Sequence, residues 1–497
     1  MLAKLLKCTK SYIRAGASVF RRLPEMRIAL VNSPYPIGAP QSLFVPMGIS
    51  YLTAYLESHG FNVDVYDFQA SPFNVESFVS KLQETKPEII GISSTTLSYN
   101  PALKLAKIAK RTCPSSLVIM GGPHVTILDK ETLLECPEVD VVVRGEGEQT
   151  LLEIAKLKAS SSLSKLNEVL GITFKKNGEI VRTADRPFIQ DLDALPFPAF
   201  DRLPLKKYRL FGKTYLPIIT SRGCPFQCTF CLASKMSGRK FRAQSPKRVI
   251  QDLETLRDKY GAEAITFYDD TFTFDTKRVK EICREIKRRG FKVPWDCRTR
   301  VDKVSKELLA IMRSANCELI HFGVESGSQE LLNAMKKGVT VEQNARAIKW
   351  AKEAGLLVAI SVIIGYPGEN EKTAEETMEF IRKTEPDYVY VCIPTPYPGT
   401  ELYYVIKSLG WKISSNWDEY NEQTPNFENP DFPPEKMKTF RQEFYNKYLS
   451  PIYVLRRSIR KDFYSRVMAR VAVNYLLWRL KIPRIMGAFK KHSTKKV

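Results

Sequence analysis

Three cysteines stand close together in the run Cys224-Pro-Phe-Gln-Cys228-Thr-Phe-Cys231. Thiols set this closely in an intracellular chain point to metal rather than to a disulfide. A structural zinc site would take a fourth ligand close by, and none follows. Three thiolates at this spacing can instead hold three irons of a cubane cluster. The fourth iron is then open to a substrate or cosubstrate. The other seven cysteines (8, 113, 136, 283, 297, 317 and 392) are scattered, most in apolar or helical surroundings, and read as small core residues.

The elements around this loop alternate at the period of a β/α barrel. Leu216–Thr220 reads as a short buried strand, and Ser221-Arg-Gly223 turns the chain into the cysteines. Further strands are predicted at Ala264–Asp270, Trp295–Val301, Leu319–Val324, Val358–Ile364 and Tyr388–Ile393. Glycines and polar residues gather just past their carboxyl ends, where barrel active sites lie. Asp269 and Asp270 are placed at the cavity rim, or else as caps of a helix Thr271–Val279. Arg298 and Arg300 are placed at the same mouth.

The cysteine spacing, with Phe230 before the last cysteine, resembles the radical SAM superfamily. That resemblance implies a [4Fe-4S] cluster whose open iron chelates S-adenosylmethionine. One electron then yields a 5′-deoxyadenosyl radical able to take hydrogen from an unactivated C–H bond. Cys224, Cys228 and Cys231 become the cluster ligands and the catalytic centre. Glu325 in "GVESGSQ" matches a position that contacts the ribose or amine of S-adenosylmethionine. Ile363 and Gly365 match backbone positions beside its adenine. Phe230 and Asp269 join the expected cofactor-binding set. The resemblance also implies an electron donor such as a flavodoxin or ferredoxin.

Residues 26–157 read as a doubly wound, Rossmann-like α/β domain, with strands at Arg27–Asn32, Val63–Tyr66, Ile89–Ser93, Leu117–Met120 and Val139–Val143 and a helix at Met47–His59. Loops at the carboxyl ends of such strands bind cofactors. The candidates are Pro34–Gly38, Ser93–Leu97, Gly121-Gly-Pro-His124 and Arg144-Gly-Glu-Gly-Glu148. None is G-x-G-x-x-G, which argues against a nicotinamide cofactor. The order "GISSTT", "GGPHVT", "VVVRGEGEQTLLEI", "RPFIQDLDALPFPAFDRLP" resembles the cobalamin-binding branch of the radical SAM enzymes, from about residue 26 to 405. Cobalamin is therefore implied, with Gly121 and Gly122 letting the backbone approach the corrin, or else forming a tight turn. The D-x-H-x-x-G run that sets a histidine under cobalt is missing. None of His59, His124, His321 and His492 has Asp two residues before it. His124 either lines the pocket or caps a helix.

The chain divides into a basic segment 1–25, the α/β domain 26–157, a connection 158–205 with a hairpin turn at Lys175–Gly178, a partial (β/α) barrel 206–405 and a helical basic region 406–497. Its 497 residues are 44% hydrophobic and 26% charged, ordinary for a globular protein. No apolar run is long enough to span a bilayer, and no signal peptide is recognisable. The expectation is a cytoplasmic protein, peripheral on the inner face of the membrane. The net charge of +22 is concentrated at the ends, +5 in residues 1–25 and +12 in residues 451–497. The body is thus no nucleic-acid surface by composition. Ile459, Phe463, Val467, Val471, Tyr475 and Trp478 form one helical stripe beside Arg456, Arg457, Arg460 and Lys461, a pattern suited to an anionic membrane. A helix packed on the body with a solvated basic face fits the same pattern.

Four functions are compatible with these features to different degrees. The leading one is a cobalamin-dependent C-methyltransferase acting on an unactivated carbon, in lipid biosynthesis or on another small molecule. The second keeps the cofactors but closes a ring or couples carbon to carbon. The third, tRNA modification, is disfavoured because only Cys113 and Cys136 lie in the first domain, where methylthiolating relatives carry three. The fourth is a non-catalytic corrinoid or cluster sensor.

Overall fold

The computed structural model describes residues 26–36 and 44–480. The basic segment 1–25, Ile37 and Gly38 of the first loop, Cys8, His492 and the last part of the basic tail lie outside the described residues.

The first sheet contains β1 (Arg27–Asn32), β2 (Asn62–Asp67), β3 (Ile89–Ser93), β4 (Leu117–Gly121), β5 (Val141–Val143), β6 (Ile172–Lys176) and β7 (Glu179–Arg182) in the order β2-β1-β3-β4-β5-β6-β7. β1 to β5 are parallel, and β6 and β7 add as an antiparallel hairpin. The hairpin therefore extends this sheet instead of joining two halves, a correction to the connection placed at 158–205. Its pairing with Val141–Val143 is a long-range contact that no local turn signal carries. Helices α1 (Met47–Ser58), α2 (Val75–Thr85), α3 (Tyr99–Thr112) and α4 (Glu148–Ala159) cover the faces. The central strands β1, β3, β4 and β5 are nearly continuous apolar runs because both faces are covered. The strand order reverses at β1, so the crevice beyond the carboxyl ends of β1 and β3 is where such sheets bind ligands.

The second sheet is an open half barrel. Its strands are β8 (Arg209–Leu210), β9 (Lys213–Ile218), β12 (Ala264–Phe267), β13 (Trp295–Thr299), β14 (Cys317–Glu325), β15 (Leu357–Ile363) and β16 (Tyr388–Cys392), in the order β16-β15-β14-β13-β12-β9-β8. All pairs are parallel except β8 with β9. A small hairpin, β10 (Ser221–Arg222) with β11 (Arg242–Ala243), closes the cysteine loop at its base. Helices α5 (Pro246–Asp258), α6 (Thr276–Arg288), α7 (Lys306–Ser314), α8 (Val341–Glu353) and α9 (Glu371–Thr384) clothe the outside. α6 begins at Thr276 behind an Asp275 cap, later than the helix predicted from Thr271. Neither Asp269 nor Asp270 caps it.

After α10 (Glu401–Ser408), the C-terminal region adds α11 (Pro434–Tyr448), α12 (Pro451–Ser458) and α13 (Phe463–Arg479). The single stripe predicted from Ile459 is broken. Asp462 accepts a hydrogen bond from the Ser465 amide, caps α13 and starts a new helix there. The face of α13 that packs inward carries Phe463, Tyr464, Met468 and Ala472. Phe463 and Tyr464 meet Ala264, Leu357 and Leu319 at the amino ends of the barrel strands. α13 thus seals the bottom of the half barrel.

The first sheet has apolar clusters of its own on its two faces, and the barrel cluster reaches across to meet it. Val45, Met47 and Tyr51 of the first domain belong to the same buried cluster as the barrel. Polar ties reinforce this. The Tyr51 hydroxyl donates to the Ile219 carbonyl at 3.3 Å, and Tyr208 donates to Asp67.

Candidate functional site

The cysteine loop leaves β10 through Gly223, whose φ is +92°. A Cβ there would strike the Lys240 carbonyl on the segment leading into β11, so only glycine closes this base. Cys224 donates its amide to Gly238 at 3.0 Å, and Thr229 donates to Met335 at 3.0 Å. Cys224 and Cys228 are half-buried and Cys231 is exposed. Phe230 is partly buried against the barrel core.

Burial pushes the Cys228 thiol up while Lys337 and Arg300 pull it down. The Cys231 residue is exposed, but its sulfur is desolvated within the loop, which pushes the thiol up to about 12. Iron reverses that ordering, since a coordinated thiol loses its proton. Among the described residues, no three metal-ligating side chains converge on a single-ion site. A cubane does not require that, because each thiolate takes a different iron. The cations beside Cys228 suit an anionic cluster. Arg300 Nη1 lies 3.8 Å from Cys228 Sγ, and its guanidinium sits 3.6 Å from the centre of the Phe226 ring. Lys337 Nζ pairs with Glu325 Oε1 at 2.7 Å, both buried. Glu325 has a φ of +67°, rare for a residue with a Cβ, and so turns out of β14 into this pair.

Asp269 requires a correction. It is 1% exposed, and its carboxylate accepts from the Thr220 amide (2.7 Å), Thr220 Oγ1 (2.6 Å) and Ser221 Oγ (2.7 Å). It braces the root of the cysteine loop and is closed to a cofactor. Burial pushes it up, and Arg278 opposes that. Asp270 is the acid that reaches the cavity: the residue is exposed, and partial desolvation of its carboxyl in the cleft together with Asp269 pushes it up to about 6.

Ile363 is buried in β15. Gly365 already spends its backbone groups: its amide donates to Glu369 at 3.3 Å, and its carbonyl accepts from Asn429 at 3.1 Å. Met437 of α11 fills the space over it.

A half-open cavity of about 340 Å³ lies between the domains. Its upper wall is the carboxyl edge of β1, β3, β4 and β5, with Gly121, Gly122, Gly145 and Gly147. Its lower wall is Ile219, Tyr268 and Asp270 of the barrel with Met236 and Ser237 of the cysteine loop. A Cβ at Gly48 or Gly145 would meet nothing, so these glycines leave the cradle open for a flat group. Gly122 is different: a Cβ there would strike the Ser94 carbonyl. Its bareness serves the β3–β4 contact, while its backbone still lines the cavity. His124 neither lines this cavity nor caps a helix. It is buried, with Nδ1 3.2 Å from Thr96 Oγ1 and its ring against Tyr99 and Trp417, and burial lowers it to about 3.

Two features go beyond what the sequence indicates, since it places Arg298 at the cavity mouth but not its neighbours. Glu146 and Glu148, expected in a ligand loop, grip the base of the cysteine loop. Arg222 bonds Glu146 at 3.1 Å and Glu148 at 2.7 Å, and Arg242 bonds Glu146 at 2.9 Å. The second feature is the concave wall of the half barrel. At its floor, Asp296 accepts from Tyr215, Tyr464 and Thr266 at 2.7, 2.7 and 2.8 Å. One layer higher, Arg298 and His321 are register partners, and Arg298 lies 4.7 Å from the Tyr268 ring centre. His321 bonds Ser361 at 2.7 Å and stacks on Tyr390.

A doubly wound domain set over a half barrel, with a three-cysteine loop between them, is the architecture of a cobalamin-binding radical SAM enzyme. Comparison with known proteins agrees. The model of the radical SAM superfamily matches residues 218–381, and that of the B12 binding domain matches residues 37–155. An uncharacterized methyltransferase of Pyrococcus horikoshii is 37% identical over 408 residues, 82% of this chain and 88% of that protein. The anaerobic magnesium-protoporphyrin IX monomethyl ester cyclase of Cereibacter sphaeroides is 31% identical over 411 residues, 80% of this chain and 66% of that protein. Among solved structures, the cobalamin-dependent S-adenosylmethionine radical enzyme OxsB superposes with a TM-score of 0.69 at 20% identity, covering 92% of this chain and 72% of that one. The chain belongs to the radical SAM superfamily, in the branch with a B12-binding domain. Its cofactors are those of the two matched domains: a [4Fe-4S] cluster and S-adenosylmethionine in the barrel, and cobalamin in the first domain. Among the described residues, no helix is long and apolar enough to cross a membrane.

Proposed function

We propose that this enzyme methylates an unactivated carbon of an amphiphilic or lipid substrate. The observation that carries the reading is the single cavity joining the glycine-lined edge of the first sheet to Tyr268, Asp270 and the cysteine loop. When bound, the cluster and S-adenosylmethionine supply a hydrogen-abstracting 5′-deoxyadenosyl radical, and cobalamin supplies the methyl group. The chain's own part is positional. Cys224, Cys228 and Cys231 hold the cluster, with Arg300 and Lys337 balancing its charge. Glu325 is held by Lys337 on the barrel side of Cys228, where an amine or ribose hydroxyl of S-adenosylmethionine can share its carboxylate. Ile363 contributes an apolar surface for adenine. Gly365 contributes only the shape of its turn, since Met437 covers it and its polar groups are engaged within the chain. Gly121 and Gly145 let a corrin lie close to the first sheet. The Glu146–Arg222–Arg242 clamp keeps the two halves of the chamber in register.

The lipid part of the reading rests on α12. Ile452, Leu455 and Ile459 are 64%, 62% and 71% exposed beside the exposed Arg456 and Arg460. Exposed apolar side chains flanked by arginine complement an anionic membrane surface. The one-electron donor is read as a small acidic carrier such as a flavodoxin or ferredoxin, because Cys231 opens to solvent beside the exposed Lys235 and Arg239. Ring closure or carbon–carbon coupling with the same cofactors is the second reading, favoured by the 31% identity to the cyclase.

Cys228→Ala should end all 5′-deoxyadenosine formation; product from that variant would refute the cluster assignment. Anaerobic protein reconstituted with hydroxocobalamin should keep a corrinoid absorption band through desalting. Total lipids from the source organism with and without the gene then separate the readings. Loss of one CH2 from a lipid in the mutant supports methylation. A gain of two hydrogens supports lost ring closure or coupling. An unchanged lipid profile refutes the lipid substrate.

A further inference from the structure

We infer that the half-barrel lumen binds a substrate bearing a carboxylate or phosphate group, with Arg298 as its receptor. The inference rests on the reading of this lumen as the reaction chamber.

Strand parity places Asp296 and Arg298 of β13, and Arg300 just past its end, on the concave face, while Trp295 and Cys297 pack outward into the core and Thr299 pairs with Thr273. Two of these three inward groups have partners within the chain. Asp296 is satisfied by two tyrosines and a threonine at the barrel floor. Arg300 bonds Asp302 at 2.8 Å and the Lys337 carbonyl at 2.7 Å. Arg298 differs. Among the described residues, no carboxylate comes within ion-pair distance of it, although it lies between those two layers. The nearest acid in the layer below, Asp296, has both oxygens engaged already.

Arg298 is only half-buried, so its guanidinium stands open to the lumen with no counter-charge beside it and is free to take an anion. The surroundings supply no substitute. His321 is the register partner of Arg298 and is neutral: burial, then Arg298 and Lys337, lower it to about 3. The Tyr268 ring lies against the guanidinium at 4.7 Å and fixes its plane, leaving its edge donors for an anion. Space is available as well. Tyr390 is 45% exposed, although it alternates with the buried Val389 and Val391 and stacks on His321 within the concavity. The Tyr268 and Tyr390 rings give flat apolar walls for the body of the substrate, and the planar fork of Arg298 suits two oxygens of a carboxylate or phosphate. Tyr268 also lines the cavity under the first sheet, so a substrate anchored at Arg298 extends toward the methyl source.

The test is calorimetric and needs no turnover. The full-length protein is titrated with phenylacetate, phenyl phosphate and the neutral phenylethanol, and the titrations are repeated with Arg298→Met and Arg298→Lys. At least one anion should bind the wild type more tightly than phenylethanol does. Arg298→Met should weaken that anion about tenfold or more and leave phenylethanol unchanged. Arg298→Lys, which keeps the charge but loses the fork, should fall between. Preference for phenylacetate identifies a carboxylate and preference for phenyl phosphate a phosphate; either supports the inference. Equal binding of an anion by wild type and Arg298→Met overturns it, as does a wild type that prefers neither anion. Cleavage of S-adenosylmethionine, assayed separately, reports on the cluster. A wild type that binds the anion yet makes no 5′-deoxyadenosine would fell the functional reading and leave this one standing.

Discussion

Removing the Glu146 carboxylate should loosen the cysteine loop by a calculable amount. Arg222 and Arg242 are register partners in the hairpin β10–β11, directly opposite each other. Like charges in that position repel. Glu146 accepts from both, and its Oε2 also takes the Ile189 amide at 2.7 Å. The side chains of Arg242, Glu146 and Arg222 are only 3%, 10% and 13% exposed. Breaking a buried pair by deleting one partner costs about 3–5 kcal/mol, because the remaining charge is left uncompensated. Arg222 keeps Glu148, so the figure belongs at the lower end for that arm. Hydrogen exchange reads the opening locally. The Cys224 amide is bonded across the loop base to Gly238. In Glu146→Ala it should exchange on the order of a hundred- to a thousand-fold faster, since each 1.4 kcal/mol is tenfold. Glu146→Gln keeps acceptors without the charge and should fall between. A change below about tenfold in Glu146→Ala would show that strand pairing and packing hold the loop without the clamp.

Three further outcomes are expected. Glu369 is fully buried, and burial pushes it up to about 7 from an ordinary 4.5. Between those values the native state holds a proton that the unfolded chain releases, so stability falls as pH rises, by about 3 kcal/mol in total. Urea midpoints of Glu369→Gln should lose that slope; an unchanged slope refutes the assignment. Ile452→Ser/Leu455→Ser/Ile459→Ser should stop the protein sedimenting with anionic vesicles without disturbing the α13 seal, which a deletion from residue 451 would remove; undiminished sedimentation rules out this face. Lys235→Glu/Arg239→Glu should slow reduction of the cluster by flavodoxin and leave dithionite reduction unaltered. Equal slowing with both reductants would mean that the cluster itself was damaged.

The chemistry-bearing loop was legible because its signal is local: three cysteines, a glycine base and a strand before them. The strands of both sheets were legible as apolar runs, and the structure moves their ends by only a few residues. What escaped was set by pairing over long distances. Glu146 meets its arginines 76 and 96 residues away. The floor of the barrel waits for Tyr464, 168 residues beyond Asp296. The hairpin β6–β7 looked like a connection because its sheet partner, β5, is fixed only by tertiary pairing. Asp269 was misjudged for a different reason. It shares its chemistry with Asp270, and only strand parity separates them. Ile265, Phe267 and Asp269 alternate with Thr266, Tyr268 and Asp270, and the second set carries the concave face. That alternation was available in the sequence, but a strand buried on both faces reads as one apolar run and hides it.

Hydrogen-bond accounting sorts these residues where composition does not. Asp269, Asp296, Glu146 and Glu325 are acids that the chain itself satisfies, and each fixes a piece of the chamber: the loop root, the floor, the domain junction and the rim by Cys228. Asp270 and Arg298 also lie on the concave side, yet among the described residues Asp270 accepts no hydrogen bond and Arg298 has no carboxylate partner. Asp270 is exposed and Arg298 half-buried, so both can reach what enters the hollow. Two such groups of opposite sign, one at the rim and one deeper in the same hollow, are best explained by occupants. Arg298 would take an anionic substrate, and Asp270, pushed up to about 6 beside the cavity, can hold or release a proton near neutrality. The walls are thus satisfied by the chain, and the open groups mark what the chamber is built to receive.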